Sequence, residues 1–371
     1  MKLSTSKNEL RLALQKLSKA TPTRSTLPIL GCALFQVEEE STVLRATDLE
    51  ITIVVHLPAS IEETGSAAIP LHTLLEITNE LPDGRITIAV NEHNRVELIT
   101  DTGVYDLMGK PAEEFPAVPD VDNSKAVDIE SETLKAVFEN TSFAVSNDDL
   151  KPALTGVYMN FSPEALTAVA TDGHRLVRYI VNDFKSDGFE GDLIVPRKFI
   201  NLFQSVAPSG EKVHLWIGEN HLTASIGQDR FYTRIIDEVF PNYEGVLPTD
   251  NNKTLVISKD EFLGAVRRVS IFSNKSTNQI ALQLDSDKSS LSTEDPEKAS
   301  KAKESLSCDF NGEPLTIGYN ATYLKDILSH VYDDGVVVKL NTPISAALFY
   351  PETQAENRDV TMLLMPIRLN D

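Results

Sequence analysis

The sequence predicts an α+β protein built from three copies of one domain, each with two helices and antiparallel sheet. Three observations support this prediction: a repeat of about 125 residues, helix patterns that recur with it, and alternating apolar segments between the helices. The repeat is marked by Pro116, Pro241 and Pro366, which are 125 residues apart and each follow Phe or Met. Such a period has the size of a whole domain rather than of a solenoid unit. We place the domains at residues 1–124, 125–252 and 253–371.

The first helix of each repeat is indicated by apolar residues spaced three and four positions apart. Ser6 and Glu9 predict a capping box before the first of these helices, and Ser258 and Glu261 predict one before the third. The predicted helices cover residues 7–19, 130–145 and 258–273.

A second helix near the middle of each repeat shows the same apolar spacing. Pro70 and Pro196 begin the first two, where the missing N–H of proline is tolerated. The predicted helices cover residues 70–81, 196–206 and 320–332.

The segments between the helices alternate apolar and polar residues and end in Asp-Gly, Asn or Gly turns. Examples are Arg85–Val90, Val96–Thr100 and Lys212–Ile217. Strands that mostly follow strands favour antiparallel sheets and the α+β class. The polar stretches 122–125 and 250–253 mark the predicted boundaries. The charged, Ser-rich segment Asp285–Glu304 is expected to form an outer loop.

Composition and charge restrict the class of protein. Two cysteines are too few for a disulfide scaffold, and no apolar run resembles a signal peptide or a membrane span, so we expect a cytoplasmic protein. The net charge is −21, but the six predicted helices together carry +2 and the rest of the chain −23. Helices that share one surface would make it nearly neutral on an acidic body. Ordinary Lys- and Arg-rich helix faces explain the same distribution.

Motifs for catalysis, cofactors or metals are absent. The seven histidines show no metal-ligand spacing, and neither a phosphate-binding loop nor a nucleophile elbow occurs. Thr47-Asp48 and Thr171-Asp172 are 124 residues apart, which predicts equivalent turns rather than a carboxylate pair. We therefore expect no enzyme and no cofactor; the alternative is a hydrolase that uses Asp172 and His174.

Two segments depart from the repeat. Ala170–Leu176 reads Ala-Thr-Asp-Gly-His-Arg-Leu, and the chain closes on the apolar run Leu363–Leu369. A hairpin turn with Asp-Gly at its tip does not explain the Gly-His-Arg-Leu sequence, and a terminal core strand does not explain an apolar run at a terminus, which usually frays. An apolar patch with polar edges is a candidate partner site.

These motifs, in this order, resemble the beta subunit family of bacterial DNA polymerase III, the sliding clamps. The resemblance covers the whole chain. It rests on the three-domain repeat and on the segments Thr26–Leu30, Ala170–Leu176, Val195–Lys198, Phe240-Pro241 and Met365–Leu369.

The resemblance implies the DNA clamp fold and a non-catalytic processivity factor. Two protomers would close head to tail into a ring around duplex DNA, with the helices inside and the sheets outside. The implied partners are a second copy of the chain, a clamp loader complex, the DNA polymerase III alpha subunit and other proteins with clamp-binding motifs. No membrane is implied. The alternative is a peptide-binding ring or adaptor scaffold that does not encircle DNA.

The resemblance also assigns roles to residues. Partner motifs of the Gln-x-x-Leu-Phe kind would enter a pocket between the second and third domains, formed by Leu154, Thr171, Gly173, His174, Arg175, Leu176, Pro241, Val246, Asn320, Tyr323, Leu363, Met365, Pro366, Ile367 and Arg368. His174 and Arg175 would flank the groove. The dimer would close through Tyr105, Leu107, Ile271 and Phe272, and DNA would contact Arg24, Lys151, Arg197 and Lys198.

Two features depart from the family pattern. The loop Asn147–Lys151 is more acidic than expected of a DNA contact, and Asn370-Asp371 extend past the usual Arg-Leu ending.

Overall fold

A computed structural model of the chain describes residues 1–22, 24–118, 125–186 and 188–369. The chain divides into two compact units, Met1–Lys135 with Lys198–Ile235 and Ala136–Arg197 with Ile236–Asp371. Each unit combines helices with antiparallel sheets, which confirms the α+β class. In these ranges no helix has the length and apolar character to cross a membrane. The predicted boundary at residue 124 and the residues Asn370-Asp371 lie outside the described residues, and the domain boundaries stay predictions.

All six predicted helices are present, slightly shorter than predicted. They are α1 (Lys7–Leu17), α2 (Leu71–Glu80), α3 (Ser131–Thr141), α4 (Arg197–Val206), α5 (Lys259–Val269) and α6 (Ala321–His330). A short 3-10 turn follows α1, α3 and α5, at Ser18–Ala20, Ser142–Ala144 and Ser270–Phe272.

The strands of the first repeat and the start of the second are β1 (Lys2–Ser6), β2 (Cys32–Val37), β3 (Thr42–Thr47), β4 (Ile51–His56), β5 (Ser60–Glu63), β6 (Gly65–Pro70), β7 (Arg85–Val90), β8 (Arg95–Ile99), β9 (Val104–Met108) and β10 (Lys125–Glu130). The remaining strands are β11 (Gly156–Phe161), β12 (Leu166–Thr171), β13 (Arg175–Val181), β14 (Gly191–Pro196), β15 (Lys212–Ile217), β16 (His221–Ile226), β17 (Asp229–Arg234), β18 (Lys253–Ser258), β19 (Gln279–Leu284), β20 (Ser289–Asp295), β21 (Ser300–Leu306), β22 (Cys308–Asn311), β23 (Leu315–Asn320), β24 (Gly335–Leu340), β25 (Ala347–Pro351) and β26 (Arg358–Leu364).

One predicted capping box is confirmed in part and the other is wrong. The Glu9 amide donates to Ser6 Oγ at 3.2 Å, so Ser6 caps α1. Ser258 makes no such bond before α5. The carboxylate of Glu261 instead accepts the Ser307 amide at 2.6 Å, which ties α5 to the chain after β21.

The first unit contains two antiparallel sheets. One has the order β5-β1-β7-β8-β9, and the other has the order β10-β15-β16-β17-β4-β3-β2-β6. The larger sheet joins strands of the first and second repeats where β17 pairs with β4, from Arg230↔Val54 to Thr233↔Ile51. This pairing explains why the second repeat is divided between the two units.

The second unit follows the same plan. Its larger sheet has the order β14-β11-β12-β13-β26-β25-β24-β18-β22, and its smaller sheet has the order β21-β20-β19-β23. Strands of the second and third repeats meet where β13 pairs with β26, from Arg175↔Leu364 to Val181↔Arg358.

The prediction of an outer loop over Asp285–Glu304 is wrong. Most of this segment forms the hairpin of β20 and β21, whose pairs run from Ser289↔Leu306 to Asp295↔Ser300. Its Ser and Thr side chains fit a buried face because they find acceptors. Ser290 Oγ donates to Gln283 Oε1 at 3.1 Å, and Thr293 Oγ1 donates to the Gln279 carbonyl at 2.6 Å.

The third proline is not the counterpart of the other two. In each repeat, a backbone amide donates a hydrogen bond to the strand that precedes the second helix. Lys110 donates to the Ala68 carbonyl on β6, Ile236 to the Ile194 carbonyl on β14 and Ile367 to the Gly318 carbonyl on β23, at 2.8, 3.0 and 2.9 Å. Pro116 and Pro241 follow this bond, whereas Pro366 precedes it. The third repeat is longer here, with 46 residue steps from the start of α6 to its bond against 39 in each of the other two.

Candidate functional site

The turn between β12 and β13 is held by hydrogen bonds between side chains and backbone groups of the turn itself. Thr171 Oγ1 donates to the Arg175 carbonyl at 2.7 Å, and Asp172 Oδ1 accepts the amides of His174 and Arg175 at 2.9 and 3.0 Å. Gly173 has φ +87°, a conformation that L side chains rarely adopt. The turn is therefore fixed in shape and exposes the His174 side chain.

The predicted equivalence of Thr47-Asp48 with Thr171-Asp172 is confirmed. Thr47 Oγ1 donates to the Ile51 carbonyl at 2.9 Å, and Asp48 Oδ1 accepts the Glu50 and Ile51 amides at 3.0 and 2.8 Å. Leu49 takes the place of Gly173 with φ +77°, so the first turn tolerates a left-handed leucine. Asp172 thus has a structural role in its turn.

The C-terminal segment lies beside this turn, as predicted. β26 ends at Leu364, and the next amide, that of Met365, donates to the His174 carbonyl at 2.8 Å. Pro366 cannot donate to a ladder, and Ile367 then bonds to Gly318 on β23. The segment therefore passes from the nine-stranded sheet to the edge of the four-stranded sheet. A Cβ on Gly318 would lie 2.6 Å from the Ile367 carbonyl oxygen, so this crossing requires glycine.

The side chain of Arg175 points into the protein, where it supports the turn, and does not flank the groove as predicted. This side chain is 10% exposed and pairs with Asp172 at 3.1 Å and Asp326 at 2.5 Å. The guanidinium also donates to the Phe143 carbonyl at 2.7 Å and lies 4.9 Å from the ring centre of Tyr323. These contacts connect β13 with α6 and position Tyr323 and His174, whose rings stack at 5.6 Å.

Loss of Arg175 is expected to destabilise the contacts between the β12–β13 turn and α6. Arg175→Met should lower the free energy of unfolding by roughly 2 kcal/mol, because Asp172 would keep a largely buried carboxylate without its cation. Chemical denaturation measures the loss. Arg230→Met, which removes an exposed arginine, is the control and should change stability little. Equal stability of the two variants would contradict the role of Arg175.

An apolar cluster beside the turn forms the floor of the site. Two of its members, Leu176 and Leu363, were predicted, and both are 3% exposed. The sequence reasoning missed the remaining members, which are Val169, Leu348, Tyr158, Phe240, Tyr243, Leu247, Ala346 and Tyr350. The β13–β26 pairing brings them together, and no local motif signals that pairing. The sequence signal was the pair of aromatic residues around Pro241, Phe240 and Tyr243.

The rim of the site is unusually apolar for an exposed surface. Met365 is 42% exposed and Val246 is 55% exposed. The predicted rim residue Asn320 has a structural role, because its Oδ1 accepts the Thr322 amide at 2.9 Å and caps α6. Burial raises the pKa of Tyr158, Tyr243, Tyr323 and Tyr350, so these phenols stay neutral at physiological pH. Such a surface suits apolar side chains and offers neutral hydrogen-bonding groups around them.

The remaining predicted pocket residues belong to the same unit. Leu154 lies in the 3-10 turn Pro152–Leu154 and is half-buried, and its carbonyl accepts the Ser146 amide at 2.8 Å. Pro241 and Arg368 are exposed, and Pro366 and Ile367 are half-buried. In the described residues, no group of three or more His, Cys, Asp or Glu side chains is arranged to hold a metal ion.

The four predicted DNA contacts differ in their availability. Arg24 and Lys151 are exposed, and the described residues offer neither of them a carboxylate partner. Lys198 is held by Asp48 and Glu50 at 2.5 and 2.6 Å. Arg197 donates to Asn147 Oδ1 and to the Ser146 carbonyl, so it fastens the acidic loop 147–151.

The predicted dimer residues lie at sheet edges or beside them. Tyr105 and Leu107 are on β9, an edge strand of the five-stranded sheet. Ile271 and Phe272 form the 3-10 turn after α5 and are 67% and 44% exposed. Ser300, at the start of the edge strand β21, donates to the Phe272 carbonyl at 3.2 Å.

Comparison with known proteins identifies the family. Models of the N-terminal, central and C-terminal domains of the DNA polymerase III beta subunit match residues 1–119, 128–242 and 244–368. The beta sliding clamps of Vibrio cholerae and Pseudomonas putida are 30% and 32% identical over 100% and 96% of this chain and the same shares of their own. The chain belongs to the DNA polymerase III beta subunit family.

Solved structures agree with this membership of the beta subunit family. The sliding clamp (DNA polymerase III subunit beta) of Pseudomonas aeruginosa bound to griselimycin has a TM-score of 0.93 and 29% identity over the full length of both chains. The sliding clamp of Bacillus subtilis, at 24% identity and a TM-score of 0.94, has the same fold. The clamp fold and the non-catalytic role predicted from the sequence are therefore confirmed, and this beta subunit is a processivity factor of DNA replication.

Proposed function

We propose that two copies of this chain close into a ring around duplex DNA and tether the replicative polymerase to its template. Ring closure alone retains the protein on DNA, so no catalysis and no tight DNA contact is needed. The observation that supports this best is the match of three successive beta-subunit domains along one chain. A scaffold that does not encircle DNA finds no comparable support.

We propose that the groove at the β13–β26 junction binds the linear motifs of polymerase and clamp-loader subunits. Its floor is closed by Leu176 and Leu363, and its rim keeps Met365 exposed. Apolar anchors of a Gln-x-x-Leu-Phe peptide suit this floor, and the flexible thioether of Met365 adapts to different partners. The carbonyls and neutral phenols around the rim provide acceptors and donors for the glutamine amide.

We propose that the dimer forms by addition of strands as well as by apolar contact. β9 and β21 are edge strands, and within the described part of the chain each pairs with a strand on one side only. Edge pairing between β9 of one protomer and β21 of the other would satisfy both rows. Tyr105 and Leu107 would then meet Ile271 and Phe272 across the joint.

We propose that Arg24 and Lys151 contact DNA, because both are exposed and have no described ion-pair partner. The double variant Arg24→Glu, Lys151→Glu should load onto DNA more slowly, since steering by phosphate attraction is lost. Rings that have been loaded should nevertheless survive moderate salt. Lys185→Glu, Lys275→Glu makes the same charge change at two other exposed lysines and is the control. Equal loading by the two double variants, followed by stopped-flow fluorescence, would exclude these DNA contacts.

The proposal is tested by primer extension on a primed circular template with the polymerase and clamp loader of the same organism. The wild-type chain should lengthen the product made in one binding event by at least about tenfold. A variant with Leu363→Asp, which places a charge on the groove floor, should form the ring and fail to lengthen the product. Short products with the wild-type chain would refute the function.

A further inference from the structure

The chain contains two strand pairings that are equivalent to the one proposed to close the dimer. At each, the last strand of one repeat pairs antiparallel with an outer strand of the repeat before it: β17 with β4, and β26 with β13. We call these pairings joints. The order of strands in the sheets makes β9 the counterpart of β17 and β26, and β21 the counterpart of β4 and β13. The third joint, between β9 of one protomer and β21 of the other, rests on the dimer proposed above.

The residue of β9 that enters the joint is fixed by rows of paired residues across each sheet. Each row begins five residues before the first helix of its repeat, on the strand that leads into that helix. The rows begin at Lys2, Ala126 and Thr254 and end three pairings later at Asp106, Tyr232 and Leu363. Asp106 is therefore the counterpart of Tyr232 and Leu363.

The residue of β21 is fixed by a second set of rows, which begin at the carbonyls that accept the amides of Lys110, Ile236 and Ile367. These rows begin at Ala68, Ile194 and Gly318 and end three pairings later at Val54, Arg178 and Lys303. Two residues earlier the same three strands have Thr52, Leu176 and Lys301. Lys301 is therefore the counterpart of Thr52 and Leu176.

The two joints within the chain give the register of the third. Tyr232 pairs with Thr52 at one joint, and Leu363 pairs with Leu176 at the other. The equivalent pair in the dimer is Asp106 with Lys301. The same register puts Leu107 opposite Ser300, whose hydroxyl donates to the Phe272 carbonyl at 3.2 Å. The apolar contacts proposed for the dimer therefore lie beside this charged pair.

The charges around Asp106 and Lys301 are complementary. Their side chains are 49% and 68% exposed in the single chain, so a partner strand can reach both. Asp106 accepts from Arg95 on β8 at 3.1 Å, and Lys301 lies 3.3 Å from Glu294 on β20. Across the joint these four side chains alternate in sign. Lys301 would also offset the repulsion between Asp106 and Glu97, which lie directly opposite each other on β9 and β8.

We propose that Asp106 and Lys301 pair across the dimer joint and make the chain close with a second copy of itself in one register. A slip of one residue would turn Tyr105 and Leu107 to the opposite face of the sheet. A slip of two residues keeps the faces and places Asp106 opposite Lys303. Lys303 faces Ser292 on β20 and not an acid, so the row of alternating charges is complete in one register only.

The test exchanges the two charges. Asp106→Lys and Lys301→Asp each place like charges opposite each other at both dimer joints of a homodimer, so each variant should have a dissociation constant raised at least about tenfold. An equimolar mixture of the two should recover the wild-type constant within about threefold, because the heterodimer has opposite charges at both joints. Analytical ultracentrifugation at about 0.1 M salt measures the constants, and native mass spectrometry with one variant isotope-labelled measures the heterodimer.

Lys303→Asp is the matched control for the register. It makes the same charge change two residues along β21, opposite Val104 and not opposite Asp106. Mixed with Asp106→Lys, it should leave the heterodimer at least about fivefold weaker than the first mixture. All three substituted residues are exposed, so each variant should melt as the wild type does.

Three results would overturn the pairing of Asp106 with Lys301. The first is a wild-type dissociation constant for either single variant. The second is a mixture of Asp106→Lys and Lys301→Asp that stays monomeric while both variants melt as the wild type does. The third is equal or better recovery with Lys303→Asp, which would mean that β9 is shifted by two residues. A wild-type chain that is monomeric at every concentration would instead refute the proposed ring, and the pair with it.

Discussion

Replacing Ile271 and Phe272 by Ala is expected to convert the dimer into monomers at concentrations where the wild-type chain is dimeric. The two side chains are 67% and 44% exposed in a single chain, so partner contact would bury most of their area. Burial of such side chains contributes roughly 1.5–3 kcal/mol each, and both occur twice in a closed ring. Analytical ultracentrifugation should therefore show a dissociation constant raised by at least about a hundredfold.

The matched control is Leu12→Ala, Leu27→Ala. These residues are 43% and 48% exposed, and nothing assigns them to the interface. This variant should sediment as the wild type does. If both double variants keep the dimer mass, Ile271 and Phe272 do not close the dimer.

Deleting residues 365–371 is expected to abolish binding of a Gln-x-x-Leu-Phe peptide and to leave the dimer intact. We expect a motif of this type to bind with a micromolar dissociation constant, about −8 kcal/mol, most of it contributed by its apolar anchors. The deletion removes Met365 from the rim and uncovers Gly318, which the segment covers through Ile367 and Leu369. Loss of these contacts should lower the melting temperature by about 2–4 °C.

Fluorescence polarisation with a labelled peptide measures this loss. A peptide with Leu and Phe replaced by Ala controls for nonspecific binding. Wild-type affinity in the deleted protein would place the motif on another surface. A loss of the dimer in the same variant would mean that the segment supports the fold more than the groove.

The sequence predicted the helices and the turn chemistry well because both depend on local patterns. Thr171 and Asp172 hold their turn through bonds within four residues, as such side chains commonly do. The position of the C-terminal segment was also predictable, since Pro366 ends a ladder and an apolar run must be buried.

Features that depend on distant pairing were not predictable. Val169, Leu348 and Phe240 form one cluster only because β13 pairs with β26. The inward role of Arg175 depends on Asp326, which is 151 residues away. The equal spacing of the three prolines was misleading. Pro366 is 125 residues from Pro241, but the longer hairpins after α6 place it before the hydrogen bond from Ile367 to Gly318, whereas Pro116 and Pro241 follow the equivalent hydrogen bonds.

Retention on circular and linear DNA is the most direct test of encirclement. The wild-type chain, loaded on nicked circular duplex by the clamp loader, should remain bound through gel filtration at moderate salt and leave within minutes after a restriction enzyme linearises the circle. Dissociation from the linear DNA should become slow again when bound protein blocks both ends, because a ring that encircles DNA leaves by sliding off a free end. Retention that is the same on open linear DNA, or that falls steeply with salt on intact circles, would contradict a ring held around DNA.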